Sequence, residues 1–580
     1  MSTLKCQLTD GVDWTAIAAA ARGDVPVDLL LTSARIVNVF SGRVVKGKIA
    51  IKDGFIVGFG DYAAAEKRDL GGRYVSPGFI DAHVHIESAM VGVPEFARAV
   101  APCGTTTVVA DPHEIANVLG TAGIDFMLQS AENQPMDCRF ALPSCVPATA
   151  METAGARLSD RDLAPFFNHP RIVALAEMMN YPGVIFSDPE VLAKLTLARR
   201  HGRVMDGHAP GLTGRRLYAY VAAGIASDHE CTSAAEALEK LELGMHIMVR
   251  EGTCARNLEA LVPVVNEYTR QRMMWCTDDR HPHDLLDEGH VDAVIRKAVA
   301  RGVDPLTAIC MGTINPAQYF GLTDVGAIAP GRRANLVLFS DLKEIRAEQV
   351  FFQGRQVAAG GRMLPGVSRP APLPVPSAMN LAPGQLDFGI PARGKRMRVI
   401  RAIEGQVVTG SDIMAVAESE GLAVADVDRD LVKLAVIDRY SGQARTGLGF
   451  VTGLGLRKGA IASSVAHDSH NIIVAGTSDA DMRAAAAKVV QMGGGLVAVK
   501  SGQSLAELPL PVAGLMSDQP LETVRRQLDG LIAAARSLGS TCSDPFMTLG
   551  FLALPVIPDL KLTDQGLVDV SRFESVALFV

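Results

Sequence analysis

The chain has 580 residues, 48% hydrophobic and 21% charged, a globular composition that excludes a largely disordered or fibrous protein. Its net charge of −7, from 56 Lys+Arg against 63 Asp+Glu, includes no basic block able to neutralise a phosphate backbone, so nucleic acid is not an expected partner. No uninterrupted apolar run of about 18 residues occurs, so no membrane partner is expected either. The polar opening MSTLKCQLTDGVDW lacks a signal-peptide core. The nine Cys form no CxxC pair, which fits reduced thiols and a cytoplasmic location better than a disulfide framework.

An α/β barrel takes about 250 residues as one domain, so two or three domains are expected. Residues 1–24 carry a short Ala-rich helical pattern, DWTAIAAAAR. Residues 25–75 change texture. There, DLLLTSARIVNVFSGRVVKGKIAIKDGFIVGFG has β-branched runs broken at Ser41-Gly42, Lys46-Gly47 and Asp53-Gly54, which reads as antiparallel hairpins. The same texture returns in residues 329–362. One small β-sandwich domain, split by an insertion, accounts for both flanks.

The insertion, residues 76–328, alternates short apolar runs with helical segments: VSPGFIDAHVH, TTTVVADPH, RIVALAEMM, GRVMDGHAP, GIASDHE and RMMWCTDD. Alternating βα units imply a covered parallel sheet, here a closed (β/α)₈ TIM-like barrel. Each run brings Asp, Glu or His to its end, the face where barrel active sites lie. Residues 363–392 hold Pro365, Pro370, Pro372, Pro374, Pro376, Pro383 and Pro391 and read as a semi-rigid linker. Residues 393–580 form a C-terminal α/β domain, with strand-like VKLAVIDRY, NIIVAGTS and GLVAVK and helical DMRAAAAKVVQM.

The sharpest local signal is PGFIDAHVH. In a strand, residues i and i+2 share a side, so His83 and His85 project together into the barrel mouth. Glu177, His208, His229 and Asp278 sit at the ends of later runs. Each alone could be a satisfied loop residue or a helix cap. Together, four His, one Glu and one Asp supply N and O ligands for two divalent metal ions with one carboxylate as bridge. Asp279, next in an extended chain, would point elsewhere. Asp111-Pro112-His113-Glu114 also ends a predicted strand. Glu114 is a candidate catalytic or substrate-binding group and His113 a candidate substrate contact, against a simple strand-end turn. His281 and His283 read as loop-surface residues. The cluster His467-Asp468-Ser469-His470-Asn471 has two readings: local hydrogen bonding, or a substrate or extra-metal site over the barrel mouth, with His470 as substrate contact. The GGG at 493–495 has no GxxxxGK[ST] context, so no nucleotide site is read there.

PGFIDAHVH, the carboxylate Glu177, two single histidines and the late Thr277-Asp278 resemble the amidohydrolase superfamily. Within it the chain is similar over nearly its whole length to the adenine deaminases, through PGFIDAHVHIESAM, ADPHEIANVLG, LAEMMNYPGVI, DGHAPGL, CTDDRHP and EGHVDAVIRKA, and through VAHDSHNIIVAGTS, GGGLVAVKSG and LPLPVAGLMS in the C-terminal region. Many binuclear members of the superfamily bridge with a carboxylated Lys. This chain offers Glu177 instead. The resemblance implies His83, His85 and Asp278 on one metal, His208 and His229 on the other, and Glu177 between them. It also implies hydroxide attack on C6 of adenine with Asp278 carrying the proton, release of ammonia, Fe(II) or Mn(II) in preference to Zn(II), and a homo-oligomer. Two alternatives stand beside it: a dihydropyrimidinase-like cyclic amide hydrolase, and a non-catalytic barrel acting as a binding protein.

Overall fold

The computed structural model describes residues 11–367, 373–382 and 386–580. The first ten residues of the N-terminal segment, and Pro370, Pro372 and Pro383 of the Pro-rich stretch, lie outside them. The helical pattern forms a helix over Trp14–Arg22. The Asp13 side chain accepts from the backbone N–H groups of Thr15 and Ala16, and Gly23 closes the helix at φ 85°, the usual Asp cap and left-handed Gly stop.

Both β flanks enter one nine-stranded sheet. Leu336–Phe339 lies antiparallel on Tyr74–Pro77, with Leu336 opposite Pro77, and this pairing joins the two halves. The strand Val27–Asn38 buries Leu29 and Leu31 in one apolar cluster and Leu30 between them in another, as a two-residue alternation requires. Asp53 and Gly54, at φ 49° and 80°, make the two-residue turn between Arg43–Lys52 and Phe55–Phe59, the expected Asp-Gly hairpin. Lys46-Gly47 is not a turn. It lies inside Arg43–Lys52, where Gly47 pairs with Ala34 beside a register shift of the neighbouring strand. A Cβ on Gly47 would sit 3.3 Å from Ile36 Cδ1, so the glycine answers a close approach between strands.

The inserted domain holds eight parallel strands in chain order: Phe79–His85, Thr105–Ala110, Asp137–Leu142, Ile172–Met178, Val204–Gly207, Ser227–Asp228, His246–Arg250, and Met273–Cys276 prolonged by Asp278–Asp279. The third and seventh were not among the sequence runs. Pairing of Asp278 with Val84 and of Asp279 with His85 closes the ring between the last strand and the first. Between the fifth and sixth strands the link is the Ala226 N–H bond to Met205 O, 2.9 Å.

In the C-terminal region an eight-stranded, mostly antiparallel sheet is backed by helices Asp479–Gln491 and Leu521–Ser537. The GGG at 493–495 is the helix-to-strand connection; a Cβ on Gly494 would sit 2.3 Å from Gly514 Cα. The Pro-rich stretch is only partly a spacer. Leu381, Leu386 and Phe388 are buried beside Ala485 and Val489, because burying its apolar residues under the sheet outweighs leaving them in water. The barrel and the C-terminal domain share one apolar cluster. It runs from Val93 and Phe96 on the barrel helix Val93–Val100 to Leu521, Val524, Leu528 and Phe546. Polar contacts ring that shared core: Ser469 Oγ donates to Glu152 at 2.7 Å, Thr153 Oγ1 to Asp564 at 2.7 Å, and Asn471 Nδ2 to Thr153 O at 2.7 Å. The C-terminal domain is thus fixed over the C-terminal ends of the barrel strands.

Candidate metal centre

His83 and His85 extend from the first strand into the mouth, their Nε2 atoms 3.1 Å apart. The strand alternation that places them there also turns Asp81 inward. Its carboxylate accepts from Thr277 N at 3.1 Å and Thr277 Oγ1 at 2.5 Å, and lies 3.1 Å from His290 Nε2. Burial pushes Asp81 up to about 7 despite these donors. His85 Nδ1 donates to Asp111 O at 3.0 Å, which fixes the tautomer and leaves Nε2 as a ligand atom.

Glu177, on the fourth strand, sits between two groups of ligand atoms. On one side, Oε1 is 3.5 Å from His83 Nε2 and 3.3 Å from His85 Nε2, while Asp278 Oδ1 is 3.6 and 3.0 Å from the same two nitrogens. On the other, Oε2 is 2.7 Å from His208 Nδ1 and 3.2 Å from His229 Nε2, which are 3.3 Å from each other. Ligands at about 2.0–2.2 Å from a common ion stand ~3.0–3.4 Å apart, and both groups are close to that spacing. The six residues fit two divalent cations with Glu177 as bridge. Burial pushes Glu177 up, but His229, His208 and His83 outweigh it and hold the carboxyl well below its ordinary range.

Asp278 takes φ 56°, and its carboxylate meets the histidine pair. Asp279 turns elsewhere and accepts from Ser88 Oγ. Arg250, at the end of the seventh strand, was not singled out in the sequence. Its guanidinium donates to both Asp278 Oδ2 and Glu230 Oε1. Burial raises the Asp278 carboxyl, but Arg250, His83 and His85 reverse this and hold it well below the carboxylate range. The signal for Arg250 was available: MHIMVRE is a short apolar run ending in charge, like the six runs that were read.

His113 Nδ1 is committed to Asp111 at 2.9 Å, and His113 lines the cavity. Glu114 also lines it, but not as a metal ligand of the main cluster. His467 Nδ1 approaches one Glu114 oxygen at 2.8 Å and His470 Nε2 meets the other. His470 is fully buried behind Glu114 and is not part of the cavity wall. His281 is not a surface residue: the C-terminal domain covers it, and its Nδ1 lies 2.7 Å from Asp544, the cap of helix Pro545–Phe551.

The cavity together with its open mouth spans about 470 Å³. Its floor is Glu177, His208, His229, Asp278 and Arg250. Its roof is Val407, His467, Asp468, Met547, Phe551, Leu554 and Ile557 of the C-terminal domain. The pocket sets a floor of ionisable side chains against a largely apolar roof, and so can hold a small flat ligand between polar and apolar walls.

A split β-domain, an inserted barrel and candidate metal-ligand clusters gathered at the strand ends define a metal-dependent hydrolase of the amidohydrolase class, and the model of the amidohydrolase family matches residues 74–359. The adenine deaminase C-terminal domain model matches residues 406–574. The chain belongs to the adenine deaminase family. It is 54% identical to an adenine deaminase of Desulfatibacillum aliphaticivorans, covering 97% of this chain and 99% of that one. It is 49% identical to adenine deaminase 2 of Carboxydothermus hydrogenoformans, covering 97% and 98%. Among solved structures, the L-hydantoinase (dihydropyrimidinase) of Arthrobacter aurescens aligns at 14% identity and a TM-score of 0.45, covering 58% of this chain and 97% of that one.

Proposed function

We propose that the chain converts adenine and water to hypoxanthine and ammonia. The observation that carries this is Glu177, whose two oxygens each face a separate group of ligand atoms at one barrel mouth, in a chain that matches adenine deaminases from end to end. His83, His85 and Asp278 would hold one cation, His208 and His229 the other. Two divalent cations so held supply a water whose pKa falls from about 15.7 towards about 7. A ligand set of imidazole and carboxylate without thiolate suits Fe(II) or Mn(II) as well as Zn(II), and the resemblance to the adenine deaminases favours iron or manganese.

The chain's own groups do the rest. Arg250 holds Asp278 Oδ2 and so orients the carboxylate that takes the proton lost by the attacking water and returns it to the departing amine. The water oxygen bonds to C6, the C6–N bond breaks, and the amine leaves as ammonia. The apolar roof excludes bulk water and favours an uncharged purine base. Ammonia release from adenine by metal-replete enzyme tests the reading, with hydantoin and dihydropyrimidine ring opening assayed in parallel. Inert adenine, or ring opening in its place, refutes it.

A further inference from the structure

The mechanism leaves one cluster unused: Glu114, His467 and His470, where a barrel carboxylate meets two imidazoles of the C-terminal domain. Their ligand atoms lie close enough to hold a metal ion, but the hydrogen bonds point another way. His470 Nδ1 accepts from the Ala466 backbone N–H at 3.2 Å. A neutral imidazole with an accepting Nδ1 carries its proton on Nε2, so His470 turns a protonated nitrogen, not a free lone pair, toward the other Glu114 oxygen. His467 donates to the other Glu114 oxygen through Nδ1 at 2.8 Å. Glu114 thus accepts from His467 at one oxygen and faces His470 at the other, and the carboxylate stands as a fixed negative charge behind His467.

That arrangement leaves His467 with one uncommitted edge. It lines the cavity, and among the described residues its Nε2 meets no hydrogen-bond partner. Its ring lies parallel to Phe551, centroids 4.3 Å apart at 8°. Phe551 fixes the plane of the imidazole and Glu114 fixes its rotation, so Nε2 is a pre-set polar point in the roof, beside Asp468. The negative charge behind the ring favours the doubly protonated form, in which Nε2 is a donor. Attack at C6 of an adenine ring drives electron density onto the ring nitrogens, and a fixed cationic donor facing that density stabilises it without reorganising.

Resting on the reading above, we propose that His467 of the C-terminal domain is a substrate-binding catalytic residue, whose Nε2–H donates a hydrogen bond to a ring nitrogen of the purine, with Glu114 and His470 as the positioning residues that orient it. The proton stays on His467 throughout. Burial alone would lower His467, but Glu114 reverses this and raises it to about 9, in keeping with a donor at neutral pH.

The test uses the metal-loaded holoenzyme. His467→Gln is expected to lose about 10²–10³-fold in kcat for adenine, to keep two metal equivalents per chain, and to keep its melting temperature within a few degrees. In His467→Gly, exogenous imidazole is expected to restore part of the activity. A crystal structure of the wild-type holoenzyme with hypoxanthine is independent of how the variants fold, and should place a purine ring nitrogen within hydrogen-bond distance of His467 Nε2. The inference is overturned if His467→Gln stays within threefold of wild type, if the purine contacts no atom of His467, or if the wild type binds a third metal equivalent that the variant loses. Failure of the deaminase reading itself looks different: the wild type would then be inert toward adenine.

Discussion

Lys561 gives a pH-dependent stability that can be read from its surroundings. Its Nζ is fully buried and donates to two backbone carbonyls, Val407 O at 2.8 Å and Phe551 O at 2.9 Å. Both residues belong to the cavity roof. No carboxylate pairs with it directly. Burial lowers the amine from 10.5 to about 7, as expected when an ammonium loses its hydration. In the unfolded chain the amine stays protonated up to its ordinary range, so between about pH 7 and 10.5 the unfolded state binds more protons and stability rises with pH. The full difference is worth roughly 5 kcal/mol, of which roughly 2 kcal/mol falls between pH 7 and 9. Lys561→Met abolishes that rise and leaves two buried carbonyls unpaired, at about 1–3 kcal/mol each. The variant should therefore be less stable than wild type at pH 9, where the wild-type amine is neutral, with the deficit shrinking towards pH 7. Melting temperatures of both proteins across pH 7–9, with metal held saturating, measure this. A difference that is flat with pH, or that grows as pH falls, would refute the argument. The same substitution frees Phe551, which sets the plane of the His467 ring, so kcat for adenine should fall as well as KM rise.

Glu177→Gln should cost both metal equivalents by elemental analysis and at least 10³-fold in adenine turnover, because both cation positions depend on it; circular dichroism should show the fold retained. Asp278→Asn should lower kcat by about 10²–10⁴-fold while the Glu177–His208–His229 position keeps its metal, giving at least one equivalent per chain. Arg250→Met should destabilise by about 3–5 kcal/mol, since it strands Asp278 and Glu230 as buried charges. Arg250→Lys should recover only part of this, because the shorter side chain with its strongly hydrated ammonium does not bring a nitrogen to the point where Arg250 Nη1 meets both carboxylates; thermal melts of the two variants decide it.

Most of the barrel and the His, Glu and Asp side chains that meet at its mouth were legible because their signals are local. A His-x-His at the end of an apolar run needs only strand alternation to place both imidazoles together, and single charges ending successive βα units needed only the barrel hypothesis to converge. What was missed depended on distant partners. Arg250 resembles any strand-end arginine until Asp278 and Glu230 close on it from neighbouring strands. His281 follows a loop pattern, and only the C-terminal domain, through Asp544, buries it. The partners of Glu114 lie more than 350 residues away at His467 and His470, so no spacing rule linked them. Gly47 misled for the opposite reason: Lys-Gly has turn composition, but the close packing against Ile36 is invisible without the neighbouring strand.

The pairing of Leu336–Phe339 with Tyr74–Pro77 sets a timetable for biosynthesis. The strand Tyr74–Pro77 leaves the ribosome some 260 residues before the segment that covers its open edge. At 5–20 residues per second that is roughly 10–50 s, during which the first half of the β-domain presents an unpaired strand edge while the whole barrel is being made. Nascent chains arrested before Leu336 should therefore carry an aggregation-prone edge and engage chaperones, and release from them should coincide with emergence of Leu336–Phe339 rather than with completion of the last barrel strand.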